Sequence, residues 1–198
     1  MNIAIFASGA GSNAEVIINN LYKYKPDHKI NVALIVSNNA MAGVLKIAVK
    51  YNLPVEVLDL KTTASYNNST AYLEILSRYK IDFIVLAGYL KKIPVEVIKK
   101  YPQKIINIHP ALLPAYGGAG MYGRHVHEAV VAAGEKQSGI TIHYVDELYD
   151  HGKIIFQATC EVEYGETGES LAKKIHLLEH QHYSKEISEI LLSQIPVK

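Results

Sequence analysis

With 198 residues, 49% of them hydrophobic, the chain is the size of one domain, long enough to bury about 70% of the surface its unfolded form exposes. Twenty Lys and Arg balance 19 Asp and Glu to a formal net charge of +1, and just two of the cations are arginines, Arg78 and Arg124. That balance leaves no electrostatic footprint for a polyphosphate duplex and argues against a nucleic-acid partner.

The chain opens without a basic stretch ahead of its first apolar run, so no signal peptide is expected. Ile3 to Ala7 reads as a strand, and Ser8-Gly9-Ala10-Gly11-Ser12-Asn13-Ala14 leads from it into a helix beginning near Ser12. Glycines let the backbone approach a ligand closely, and the free N–H groups of a helix start attract anions, so a phosphate fits at Gly11 to Asn13. The spacing of Gly9, Gly11 and Ala14 also matches a dinucleotide fingerprint, but such a site needs an acidic residue roughly 20 positions later for the ribose hydroxyls. The second strand, Val32 to Val36, ends in Ser37-Asn38-Asn39, and no Asp or Glu stands between Asp27 and Glu56. A single phosphate therefore suits this turn better than a dinucleotide. The competing reading is a tight turn with no ligand, and glycine spacing alone does not separate the two.

A helix from near Met41, a strand at Val55 to Leu58 and a helix from near Ser69 continue the alternation expected of right-handed βαβ units. Phe83 to Ala87 is apolar throughout, as in a strand covered on both faces, and falls far short of the ~20 residues that span a bilayer. Neither it nor any other run suggests a membrane partner. Pro94 suits the first turn of the next helix, and Ile105 to Ile108 reads as a fifth strand. These elements predict an α/β fold, doubly wound around a mostly parallel sheet and flanked by helices.

The fifth strand runs on into Asn107, His109 and Pro110. With a side-chain period of two, Asn107 and His109 share one face while Ile106 and Ile108 take the other. Polar groups on a core-like strand are costly unless something uses them, and the C-terminal edge of an open α/β sheet is where ligands bind. Histidine can carry a proton near neutral pH, and a carboxamide N–H can stabilise an oxyanion. The alternative is a pair of core polar residues satisfied by a loop.

Four glycines fall within Gly117 to Gly123, marking a loop ahead of a helix at about His125 to Ala133. His125 and His127 flank that loop, where ligand binding is one reading, and solvated residues at the helix start are the better one. Strands at Gly139 to Val145 and Ile154 to Val162 then form a hairpin that extends the sheet antiparallel, and His143 on the first is a secondary candidate for the crevice. Asp150, on the connecting loop, is placed to reach His109 and hold it as a cation. Asn, His and Asp without a nucleophilic serine or cysteine suggest acid-base work on a carbonyl carbon that a substrate attacks directly. The lone Cys160 reads as core, and without a second cysteine no internal disulfide forms, which favours a cytoplasmic setting. A long helix from Gly168 to Leu192, capped by Thr167, carries an apolar stripe of Leu171, Ile175 and Leu178.

Gly11-Ser12-Asn13, Leu86-Ala87-Gly88-Tyr89, the run from Ile106 through His109 to Pro114, and Asp150-His151-Gly152 occur in the order of a known family. The chain resembles the folate-dependent formyltransferases, and among them the phosphoribosylglycinamide formyltransferase branch. Asn107-x-His109-Pro110-x-Leu112-Leu113-Pro114 carries the wider likeness; Gly11-Ser12-Asn13 and a length that leaves no room for an additional domain favour the branch. The resemblance implies a Rossmann-like formyltransferase fold over residues 1–198. Residues 1–100 would form the phosphate-binding half, and 101–198 the catalytic and folate-binding half.

It also implies formyl transfer from 10-formyltetrahydrofolate to the amine of glycinamide ribonucleotide. Asn107 would stabilise the tetrahedral intermediate, His109 would act as general acid, and Asp150 would orient and charge His109 and organise a proton-carrying water. Gly11, Ser12 and Asn13 would hold the ribonucleotide phosphate, and Glu179 would contact the acceptor. Leu90, Lys91, Lys92 and Ile93, with Asn107, would bind the folate, its pterin lying between that segment and Val145 to Asp150. The family often has arginine where Lys91 stands, and another at or near Ser69, which leaves open how the folate's glutamate tail is held. The other readings are a formyltransferase for another small amine and a non-catalytic ligand-binding protein. His176-Leu177-Leu178-Glu179-His180 fits an inverted zinc-peptidase pattern, but nothing else in the chain calls for zinc, so no metal is expected. Monomer and homodimer are both compatible with the sequence.

Overall fold

The β-branched runs pair into one seven-stranded sheet of order β3-β2-β1-β4-β5-β6-β7. The computed structural model describes residues 1–23, 30–58 and 68–194. The strands are β1 (Asn2–Phe6), β2 (Asn31–Ser37), β3 (Val55–Val57), β4 (Phe83–Leu86), β5 (Ile105–His109), β6 (Gln137–Tyr144) and β7 (Ile154–Glu161). β1 to β5 run parallel. β6 and β7 each turn antiparallel to the strand before them, forming the anticipated hairpin.

Alternation along each strand divides the apolar side chains between two cores. Ile3 and Ile5, Phe83 and Val85, and Ile106 and Ile108 face helices α1 (Ser12–Lys23), α2 (Val44–Lys50), α5 (Arg124–Ala132) and α6 (Gly168–Ser193). Ala4 and Phe6, Ile84 and Leu86, and Ile105 face α3 (Asn68–Arg78) and α4 (Val95–Lys100). Helices on both faces explain why Phe83 to Leu86 is apolar at every position and fully buried. None of the described helices is long and apolar enough to cross a membrane.

Element starts shift where a side chain outcompetes helical propensity. The helix expected near Met41 begins at Val44, because the Asn39 carboxamide accepts the Met41 N–H at 2.9 Å and turns the chain first. Met41 is left 89% exposed. Pro94 stands one residue outside α4 as its N-cap. The long C-terminal helix starts where expected, with Thr167 and Ser170 satisfying each other's backbone N–H in a capping box. Its buried stripe extends past Leu171 and Ile175 to Tyr183, Ile187 and Leu191.

Candidate active site

β4 and β5 end at the bottom of a cleft of about 630 Å³. His109, the last residue of β5, is 3% exposed, and the two loops that follow in the chain hold both of its ring nitrogens. Nε2–H donates to the Tyr116 carbonyl at 2.8 Å, and Nδ1 lies 3.4 Å from Asp150 Oδ2. The same Asp150 oxygen accepts the Gly118 N–H at 3.0 Å, so backbone of the glycine-rich loop fixes both members of the pair. A backbone carbonyl or N–H leaves no signature in residue types, so neither contact could be read from the sequence.

Asp150 itself sits at φ 51°, in the left-handed region that Asp tolerates better than most residues. Two positions on, a Cβ at Gly152 would stand 1.8 Å from the Tyr144 carbonyl oxygen, so only glycine lets the loop fold back against the end of β6. β6 then aligns His143 opposite Asn107. Asn107 Nδ2 donates to His143 Nε2 at 3.2 Å, while His143 Nδ1 donates to the Tyr144 carbonyl at 2.8 Å. His143 Nε2 also lies 3.7 Å from Asp150 Oδ1. The four side chains form one connected set, and His143 enters it as a full member.

Burial is the largest influence on His109 and lowers its pKa below the ordinary histidine value, although Asp150 and the Tyr116 carbonyl pull the other way. Burial therefore favours the neutral ring and works against the expectation that Asp150 keeps it charged: desolvation outweighs the carboxylate. Burial also pushes the Asp150 carboxyl upward, but His143, His109 and the Gly118 N–H overcome it and hold that pKa below the usual carboxylate value.

Also on the cleft lining, Glu179 of α6 accepts from Asn13 Nδ2 at 2.9 Å and from His176 Nδ1 at 3.0 Å. The carboxylate raises the His176 pKa against a smaller opposing effect of burial. The first intrahelical bond of α1 runs from Glu15 N to Gly11 O, so the N–H groups of Ser12, Asn13 and Ala14 precede the ladder. Gly11 has φ 83°, and a Cβ there would lie 2.7 Å from Val44, which accounts for glycine at this turn. Ser8 Oγ accepts the Leu90 N–H at 2.8 Å, tying this turn to the segment after β4.

Nine of the residues singled out from sequence line the cleft: Asn13, Leu90, Lys91, Lys92, Ile93, Asn107, His109, Asp150 and Glu179. Gly11 and Ser12 are not among the residues that line it; they adjoin Asn13 where α1 begins. The Leu90 to Ile93 segment and residues Val145 to Asp150 face each other across the opening, where Lys92 Nζ lies 5.4 Å above the Tyr149 ring. His127 departs from expectation: at 6% exposed it is a buried wall residue and not a solvated one, whereas the His125 side chain is 64% exposed. Cys160 on β7 is half-buried rather than fully core. In the zinc-like pattern, His176 and His180 pack ring against ring at 4.1 Å, and among the described residues no three His, Cys, Asp or Glu side chains group as metal ligands.

Comparison with known proteins places this geometry. The model of a family described as formyl transferase matches residues 1–187. The chain belongs to the formyl transferase family. A Bacillus subtilis relative named phosphoribosylglycinamide formyltransferase is 38% identical over 192 residues, covering 95% of this chain and 93% of the relative. A chloroplastic protein of the same name from Arabidopsis thaliana is 41% identical over 197 residues, or 98% of this chain. The chain spans only 66% of that plant protein and 58% of its Vigna unguiculata counterpart. Among solved formyl transferase structures, the phosphoribosylglycinamide formyltransferase from Bacillus halodurans superposes with a TM-score of 0.88 at 36% identity, covering 96% of this chain and 95% of that one. A glycinamide ribonucleotide transformylase from Symbiobacterium toebii reaches 0.89 at 29% identity over 100% and 91% of the two chains.

Proposed function

We propose that this formyl transferase moves the formyl group of 10-formyltetrahydrofolate to the amine of glycinamide ribonucleotide, a step of purine synthesis, as one domain working in the cytoplasm. The observation that carries the reading is the convergence of Asn107, His109 and Asp150 with the Asn13–Glu179 pair on one cleft. The name and near-complete coverage of the Bacillus subtilis relative support it. Residues 1–100 supply the phosphate-binding turn and residues 101–198 the reacting groups.

In this reading the start of α1, at Gly11 to Asn13, receives the phosphate, and Glu179 holds the acceptor near its amine. Asn107 directs its amide at the carbonyl under attack. One of its two N–H bonds goes to His143, and the second is free to stabilise the oxygen as it gains charge. His143 fixes that orientation, because its Nδ1–H is committed to a carbonyl and its Nε2 is left as an acceptor. His109 has Nε2–H committed to Tyr116, so proton uptake occurs at Nδ1, beside Asp150. The amine nitrogen forms a bond to the formyl carbon as the bond to the donor nitrogen breaks. One proton leaves the amine and one reaches the departing nitrogen, with the His109–Asp150 pair as the relay and no net proton released. Leu90, Leu148 and Tyr149 form an apolar rim that suits a flat heteroaromatic ring, with Lys91 and Lys92 beside it for an anionic tail.

A formyl-transfer assay with the two substrates tests this. The wild-type chain turns over, and His109→Ala loses about 10² to 10⁴ in kcat. No turnover by folded wild-type protein, or an unimpaired variant, sinks the assignment.

A further inference from the structure

His127 belongs to α5 and lines the cleft, yet its buried Nδ1 has no hydrogen-bond partner. Asn13 Oδ1, on the same cleft and on the residue bonded to Glu179, is also buried and unpartnered. Burying a polar atom without a partner is unfavourable, and folded proteins hold few such atoms. Two of them on one cleft, beside one carboxylate, point to a ligand that completes them. His127, Glu179 and His109 all line the same cleft. Burial is the main influence on its pKa and lowers it, so near pH 7 the ring is neutral and each nitrogen is either a donor or an acceptor.

We propose that His127 is a binding residue for the acceptor substrate, its Nδ1 hydrogen-bonding a hydroxyl or amide group of that substrate and forming, with Asn13 Oδ1 and the Glu179 carboxylate, a polar subsite. The proposal rests on the acceptor reading given above and extends it to a residue outside the reacting set. The competing role is packing of α5 against α6, which an apolar side chain of similar bulk would fulfil as well.

His127→Leu, His127→Asn and His127→Gln separate the two. The Asn carboxamide places a polar atom near the position of Nδ1, whereas Gln places it nearer Nε2. Thermal melting, calorimetric affinity for glycinamide ribonucleotide and KM for each substrate are measured on all four proteins. His127→Leu is expected to melt no lower than wild type, because an unsatisfied buried atom is removed. It is expected to bind glycinamide ribonucleotide roughly ten- to hundredfold more weakly, with KM for 10-formyltetrahydrofolate unchanged. His127→Asn recovers most of the loss and His127→Gln does not. Full affinity in the Leu variant, equal losses for both substrates, or Asn and Gln variants that behave alike overturn the proposal. Wild-type protein that binds glycinamide ribonucleotide without turning over refutes the transfer reaction alone, and the affinities still decide the role of His127. Absence of binding by wild type refutes both.

Discussion

Asn107 meets the cleft with one amide hydrogen given to His143, so its remaining donor is aimed before any ligand arrives. Preorganised donors of this kind act mainly on kcat, and Asn107→Ala is expected to lower kcat about 10²- to 10³-fold with little change in either KM, read from initial rates. His109 sets the acid side of the pH profile. Since burial lowers its pKa, kcat/KM should fall on acidification with a midpoint below 6.5, where Nδ1 fills with a proton and stops accepting one. Asp150 opposes that lowering, so Asp150→Asn should shift the acid limb to still lower pH while slowing the reaction. A limb that moves upward, or does not move, contradicts the assigned pairing. Asn107, His109 and Asp150 were legible in the sequence because strand period and motif spacing mark them. The Tyr116 carbonyl and the Gly118 N–H were not, since every residue carries those groups. His127 was misjudged because two histidines two positions apart look alike until a helix assigns one to the interior and the other to solvent.

Helix α6 connects the sheet to the part of the cleft that carries Glu179. Tyr183, 1% exposed, donates its hydroxyl to the Leu86 carbonyl at 2.8 Å and lies 3.4 Å from that of Ile106, pinning the helix to the last residue of β4 and the second of β5. Tyr183→Phe removes the donor and leaves a buried carbonyl short of a partner, which should cost about 1–3 kcal/mol in urea unfolding. A variant as stable as wild type would show that water or another donor replaces the hydroxyl. The loop between β6 and β7 depends on Gly152 in a different way: a methyl there meets the Tyr144 carbonyl, so Gly152→Ala should displace Asp150 and reduce kcat as well as stability. The Thr167 cap and the first half of the α6 stripe were visible as sequence signals, because both are local. Tyr183 was not, as its partners lie 97 and 77 residues away.

At the scale of the whole molecule, three histidines among the described residues share one electrostatic situation. Burial is the leading cause that lowers the pKa values of His109, His127 and His180 below the ordinary 6.5. Between those lowered values and 6.5 the unfolded chain binds more protons than the folded one, so each costs stability as pH falls through that window. His176 has the opposite sign: Glu179 raises its pKa, so its contribution is complete below 6.5 and fades as pH rises through the raised value. Three against one, Tm should drop between about pH 7.5 and pH 5.5, and His127→Leu should flatten the drop. A Tm constant over that range would mean that the buried rings protonate without penalty.

Hydrophobic periodicity alone determined that this chain builds a parallel sheet wrapped on both faces and closed by an antiparallel hairpin, because apolar patterning is written residue by residue and the sheet must bury it. The residue types at the end of the fifth strand determined where chemistry could occur. Only the tertiary structure decided which polar atoms meet. Asn13 and Glu179, 166 positions apart, join through the packing of α1 on α6, and the balance between burial and Asp150 sets the proton on His109. Both depend on distance and desolvation, which arise when the chain closes on itself.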